Sequence, residues 1–168
     1  MERIFHSLCL AALLSIAAAF GFFYAWSVSA MWGLDVVSPA AAIEAMNGVN
    51  GVVQNGAFAL SFFGAPVLLL VATIAGVVAG DRRAAVRLGM AFGVCLLSVH
   101  VVTFTYHIPL NQNLMAVDPA QVGADAGEIW AAYSSEWKGW NWVRTLGAGL
   151  SVLLVGLALA TMGRRGSV

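Results

Sequence analysis

Charge is what this 168-residue chain has least of, at 10% of its residues, where a soluble domain carries about a quarter. Eight Lys/Arg balance eight Asp/Glu, for a formal net charge of zero. That scarcity excludes a water-soluble enzyme domain and a disordered chain. With no basic excess to neutralise phosphates, it also excludes a nucleic-acid binder. Cysteine is equally sparse: Cys9 and Cys95 both fall in apolar stretches and lack metal-ligand spacing, so they read as small apolar fillers. No Rossmann glycine fingerprint, haem attachment motif or P-loop is present. What remains is apolar, at 61% of the chain.

The length suits one domain, taken here as 1–168, and the composition predicts an integral membrane protein. A helix needs about 20 apolar residues to cross the hydrocarbon core. Four stretches suffice, at about 8–34, 52–80, 84–106 and 142–162. Leu, Ala, Val and Phe fill them without a period of two, so helices are expected rather than barrel strands. The first stretch starts like a secretory signal, with Arg3 and then Ala17, Ala18 and Ala19. A signal's apolar region stops after roughly 7 to 15 residues, whereas this one continues through Phe20, Phe22, Phe23, Tyr24 and Trp26. It reads as a retained span. The expected fold is an all-α four-helix transmembrane bundle with short extracytoplasmic helices capping its outer end.

Orientation follows from the basic residues. Arg3, Arg82, Arg83, Arg87, Arg164 and Arg165 cluster on one side, with Lys138 and Arg144 on the other. The richer side is cytoplasmic, which predicts a multi-pass cell-membrane protein with both termini inside. All six Trp fall at or beyond the outer span ends, as in an interfacial aromatic belt. Ala72, Gly76 and Gly80 put small residues on one face of the second span. This is first a packing signal, and it also suits association into a homo-oligomer.

The outer segments carry most of the remaining information. Ser38-Pro39 resembles a helix start, followed by Asn47, Asn50 and Gln54 on one polar stripe. Asp118-Pro119 is a second start signal, and Asp125 with Glu128 has capping-box spacing. Trp130, Tyr133, Trp137, Trp140 and Arg144 then recur at helical steps, as an interfacial anchor or as the wall of a mouth in the bundle. On the third span His100, Thr103 and His107 share a face, with Tyr106 beside them. Ionisable groups inside a span mark a functional site by default. The histidines are about 10 Å apart along the axis, too far to chelate one metal alone, so no metal site is assigned. Pro109 is expected to end or kink this helix, with Asn111, Gln112 and Asn113 just beyond. Asn141 and Arg144 share a face near the start of the fourth span. Arg144 either snorkels to headgroups or converges with Asn111, Asn141 and His107 on a pocket.

Four elements then carry a family resemblance: Gly21 to Met31; Ala42-Ile43-Glu44-Ala45-Met46 with Asn50; Pro109-Leu110-Asn111; and Trp140-Asn141-x-x-Arg144. Through them nearly the whole chain resembles the anthrone oxygenase-like family of small four-span membrane proteins. The resemblance implies O2-dependent oxidation of a lipophilic aromatic molecule, anthrone- or hydroquinone-like, without a cofactor. That chemistry needs an apolar slot, a base and donors for a developing oxyanion. His107 suits the base, and Arg144, Asn111 and Asn141 suit the donors. Tyr24, Trp137 and Trp140 suit the flat wall, with Asn50, Tyr106 and His100 as further substrate contacts. The alternative is a non-catalytic lipophile-binding or accessory subunit. A transporter is disfavoured, because the chain has no repeated half and no line of carboxylates through its spans.

Overall fold

The computed structural model describes residues 2–163. Four long apolar helices form it, Glu2–Asp35, Gly56–Val78, Arg82–Met115 and Gly123–Met162, called here the first to fourth spans. Each is long and apolar enough to cross a bilayer, and no strand occurs among the described residues. The expected all-α four-span fold is what forms, and the protein is a multi-pass membrane protein. Each span packs on its neighbours in sequence, and the fourth returns to the first.

The first span shows why. Phe5, Cys9, Ala12, Ile16, Ala19 and Phe23 recur at alternating four- and three-residue steps and are all buried. That spacing lays one continuous stripe against the other helices. Residues off the stripe, such as Leu14, Val67, Ile74 and Leu153, are exposed and apolar. Such a surface suits lipid.

At one end, the second and third spans join through a tight turn. Gly80 adopts a positive φ of 71°, which closes the preceding helix at little steric cost. Asp81 caps the next helix by accepting from the Ala84 amide at 3.2 Å. The small-residue face is used inside the protomer: Ala72 and Gly76 are buried. A Cβ at Gly76 would stand 3.1 Å from Phe5 and 3.2 Å from Ala85. Arg3, Arg82, Arg83 and Arg87 gather at this turn end, and Arg87 binds the Leu157 carbonyl and the Thr161 hydroxyl. Arg164 and Arg165, counted with them in the orientation argument, lie outside the described residues.

The other end is capped. The helix Pro39–Val52 crosses it, beginning at the Ser38-Pro39 start signal. Its stripe divides by role: Asn47 donates to the Leu114 carbonyl, while Asn50 is buried. The second signal gives no separate element. After a turn in which Asp118 accepts from the Ala120 amide, helix Ala126–Gly163 runs unbroken into the fourth span. Met31, Ile43, Met46, Leu114, Trp130, Tyr133 and Trp137 form a second core there. Trp130 and Trp137 are therefore core residues, while Trp32 and Trp142 are exposed as a belt requires.

Pro109 does not end the third span. The helix continues to Met115, and π-helical turns at Leu96–Val101 and Thr103–His107 precede the proline. These wider turns bond i to i+5 and recur at functional sites. Here they alter the hydrogen-bond ladder just before the ring, and the helix runs through the proline without a break. A third π-helical turn, Trp26–Ala30, lies in the first span.

Candidate functional site

Between the capped ends of the helices lies a cavity of about 380 Å³, within the range of small-molecule sites. Phe22 and Trp26 of the first span and Phe58, Phe62 and Phe63 of the second make one apolar side. Trp137 and Phe104 continue it, with Met46 and Met115 toward the cap. The polar groups on the wall are Asn50, Gln54, Thr103, His107, Asn111, Gln112 and Arg144.

Arg144 is 6% exposed. Its guanidinium donates to Thr103 Oγ1 at 3.3 Å and to Asn141 Oδ1 at 2.8 Å. Its Cζ lies 4.6 Å from the Phe23 ring centroid and 5.2 Å from that of Trp137, so two aromatic faces hold the cation. No carboxylate pairs with it among the described residues. The side chain points into the bundle, so the headgroup-snorkelling alternative does not hold.

Asn141 stands behind Arg144 rather than on the cavity wall and is fully buried. Its Nδ2 donates to the Phe23 carbonyl at 2.9 Å and to Ser27 Oγ at 2.8 Å. Ser27 and Thr145 share a hydrogen bond of 2.9 Å, and Thr145 donates back to the Asn141 carbonyl. This closed loop straps the fourth span to the first beside its π-helical turn. It also fixes which side of the amide meets the guanidinium, because a flipped Asn141 would face both partners wrongly.

His107 is 1% exposed, edge-on to Trp137 with ring centroids 5.1 Å apart. Backbone of Val102 and Trp137 lies near its nitrogens, yet neither nitrogen makes a hydrogen bond of good geometry. Asn111 accepts from the Tyr133 hydroxyl at 2.9 Å. Among the described residues, the buried side-chain polar atoms left without a well-formed hydrogen bond are Asn50 Nδ2, both His107 nitrogens, Trp137 Nε1, Arg144 Nε and Asn47 Oδ1. All but the last belong to residues lining this cavity. Buried polar groups are normally satisfied, and here five such atoms gather on the wall of one cavity.

Of the residues singled out from the sequence, His107, Arg144, Asn111, Asn50 and Trp137 meet at this cavity, and Asn141 supports it. Tyr24, Tyr106, Trp140 and His100 are not on its wall. Tyr24 is exposed and packs on Phe20. Tyr106 stacks on Trp140 at a centroid distance of 3.5 Å. His100 is buried below, where Nε2 meets the Phe62 carbonyl at 3.0 Å. The shared face of His100, Thr103 and His107 is thus divided, because the π-helical turns between them change the register. Among the described residues no three His, Cys, Asp or Glu side chains cluster as a metal site would require. Phe22, Phe58, Phe62 and the Ser27–Thr145 pair have no individual signal in the sequence.

Most of the residues around this cavity also fall within a segment that matches a recognised family. The profile described as anthrone oxygenase matches residues 57–154. The chain belongs to the anthrone oxygenase family. The match runs from the start of the second span through the third and into the fourth as far as Leu154. It includes both of the elements Pro109-Leu110-Asn111 and Trp140-Asn141-x-x-Arg144, while Trp26 and Asn50 lie outside it. No curated protein and no solved structure matches the chain significantly. Membership fixes the scaffold; the reaction has to be argued from the cavity.

Proposed function

We propose that this protein oxidises a flat, lipophilic aromatic substrate of the anthrone or hydroquinone type with O2, at the cavity beneath its cap. One observation supports this above the rest: a buried guanidinium without a carboxylate and an imidazole without a good partner line the same largely apolar space. An isolated buried cation is costly. An oxyanion on the ligand offsets that cost, and guanidinium is well shaped to bind one.

An anthrone has a CH2 group between two aromatic rings and opposite a ketone. In the proposed sequence His107 takes one proton from that carbon, and the charge moves to the ketone oxygen at Arg144. Asn141 acts through Arg144 as a positioning residue, while Asn111 and Asn50 offer amide contacts on the same wall. The electron-rich anion transfers electrons to O2 and forms a carbon–oxygen bond. Loss of water then leaves a second ketone. The balance is CH2 plus O2 giving C=O plus H2O, so no further reductant enters. Stabilising such an oxyanion is commonly the largest catalytic term, at about 10²- to 10³-fold per donor. A positioned base adds about 10²- to 10⁴-fold.

The excess of basic residues at the turn end supports a cell-membrane orientation with both termini cytoplasmic and the cap outside. Oxygen uptake by protein in nanodiscs supplied with 1,8-dihydroxyanthrone tests the proposal. Uptake should match quinone formed and should fall at least 100-fold in His107→Ala and in Arg144→Ala. Unchanged uptake in both variants removes their roles. Binding of the anthrone without uptake leaves a lipophile-binding protein instead.

A further inference from the structure

The cavity wall includes residues that reach the outer surface of the bundle. Phe63 and Phe104 both line it and are also 53% and 52% exposed on the outer surface of the bundle. Both rings stand edge-on to the buried Phe62, at centroid distances of 5.0 and 6.4 Å. Phe63 lies about 10 Å inward from the Gly56 start of its helix. Phe104 lies one turn deeper in the third span than His107. Both therefore sit at hydrocarbon depth rather than in the aqueous rim. The helices leave room there: the second span packs along Arg82–Cys95, while beyond it the third span is π-helical and meets the second through Phe62, His100 and Phe104 side chains. Gln54 and Gln112 are polar residues that also line the cavity.

We propose that the substrate enters sideways from the bilayer, through the gap flanked by Phe63 and Phe104, and is therefore a molecule dissolved in lipid. This inference rests on the cavity being the substrate site. Phe63 and Phe104 are then selecting residues. Their rings pass flat apolar molecules and exclude hydrated ones, because no polar group replaces the water shed on entry. The molecule arrives with its apolar body trailing in lipid and its oxygen toward Arg144.

Access can be measured without any substrate. A thiol is placed on the far wall as Phe22→Cys, with the milder Ala59→Cys as a second reporter, in protein reconstituted into nanodiscs. Cys9 and Cys95 are fully buried, and the unsubstituted protein gives their background. Labelling by N-phenylmaleimide, a neutral lipophilic reagent, should slow at least tenfold when Phe63→Trp and Phe104→Trp are added. It should quicken with Phe63→Ala and Phe104→Ala, and change less than twofold with Gln54→Trp and Gln112→Trp. Slowing by the glutamine replacements but not by the phenylalanine ones overturns the side entrance, as does an absence of labelling in both reporters. Failure of the oxidation reading would appear in oxygen uptake and leave these rates untouched.

Discussion

His100 donates from Nε2 to the carbonyl of Phe62 at 3.0 Å, and that carbonyl is the one Pro66 leaves without its helical donor. In a regular helix the amide of residue 66 would bond to the oxygen of residue 62, but proline has no N–H. Within a span no water replaces it. Nδ1 stands 3.2 Å from the Cys95 carbonyl and 4.0 Å from the Cys95 sulfur. A neutral ring donates to one of the two carbonyls, and the proton is assigned to Nε2 because the Phe62 carbonyl lacks its helical donor.

The pairing predicts a coupled stability effect. His100→Phe should cost about 1–3 kcal/mol by stranding the Phe62 oxygen. In a Pro66→Ala background the helix supplies its own N–H, and the cost of His100→Phe should fall by more than about 0.5 kcal/mol, the level above which two sites are coupled. Denaturant unfolding of the four proteins in micelles measures the cycle. Additive costs would show that His100 does not serve this carbonyl.

The same pair shows what could be read in advance. Span count and all-α architecture follow from composition, because bilayer thickness fixes helix length. Arg144 and Asn141 were legible together, since three residues along a helix share a face, and they do hydrogen-bond. His100 was less legible: its apparent face belongs to an ideal α-helix, and π-helical turns carry no plain sequence signal. A proline in the middle of an apolar span was the available clue that some donor had to come from another helix. The cavity's aromatic side was hidden because Phe22, Phe58 and Phe62 look like the lipid-facing phenylalanines around them.

Arg144 separates ligand binding from structural support. Its removal breaks no ion pair but strands the buried Asn141 Oδ1, so Arg144→Met should cost about 1–3 kcal/mol, against about 3–5 for a cation whose loss strands a buried partner charge. Binding of 1,8-dihydroxyanthraquinone, followed by its fluorescence, should weaken at least tenfold in Arg144→Met. Arg144→Lys should restore little of it, because an ammonium cannot hold Asn141, Thr103 and an oxyanion in the guanidinium's planar arrangement. A large stability loss with intact binding would make Arg144 a structural tie.

At the cap, Asp35 and Lys138 form an ion pair of unequal partners. Lys138 contacts Asp35 Oδ2 at 2.6 Å, while Asp35 also accepts from Trp130 Nε1 at 3.0 Å and Ser134 Oγ at 2.6 Å. A partly exposed pair contributes about 0–1 kcal/mol, so Lys138→Met should change little. Asp35→Ala removes all three acceptor contacts, two of them from buried residues, and should cost about 2–4 kcal/mol on the scale of lost hydrogen bonds. Thermal unfolding of both variants in the same detergent checks the ratio. Equal losses would place the energy in the ion pair instead.

Two glycines of similar appearance should respond oppositely to the same change. A Cβ on Gly147 would run into the Cβ and hydroxyl of Ser98 on the third span, and the Ser98 hydroxyl is held by the Val94 carbonyl at 2.6 Å. Gly147→Ala therefore overpacks the interface of the third and fourth spans and should cost about 1–3 kcal/mol. At Gly89 the nearest atom to an added Cβ is the Thr73 methyl at 3.5 Å, an ordinary contact, so Gly89→Ala should be neutral or stabilise by up to about 1 kcal/mol. Because the Ser98 Cβ itself stands in the way, Ser98→Ala should rescue Gly147→Ala only in part and Ser98→Gly more fully. Unfolding midpoints of these single and paired variants test the order. Full rescue by Ser98→Ala would mean that the hydroxyl alone sets the spacing of the two helices.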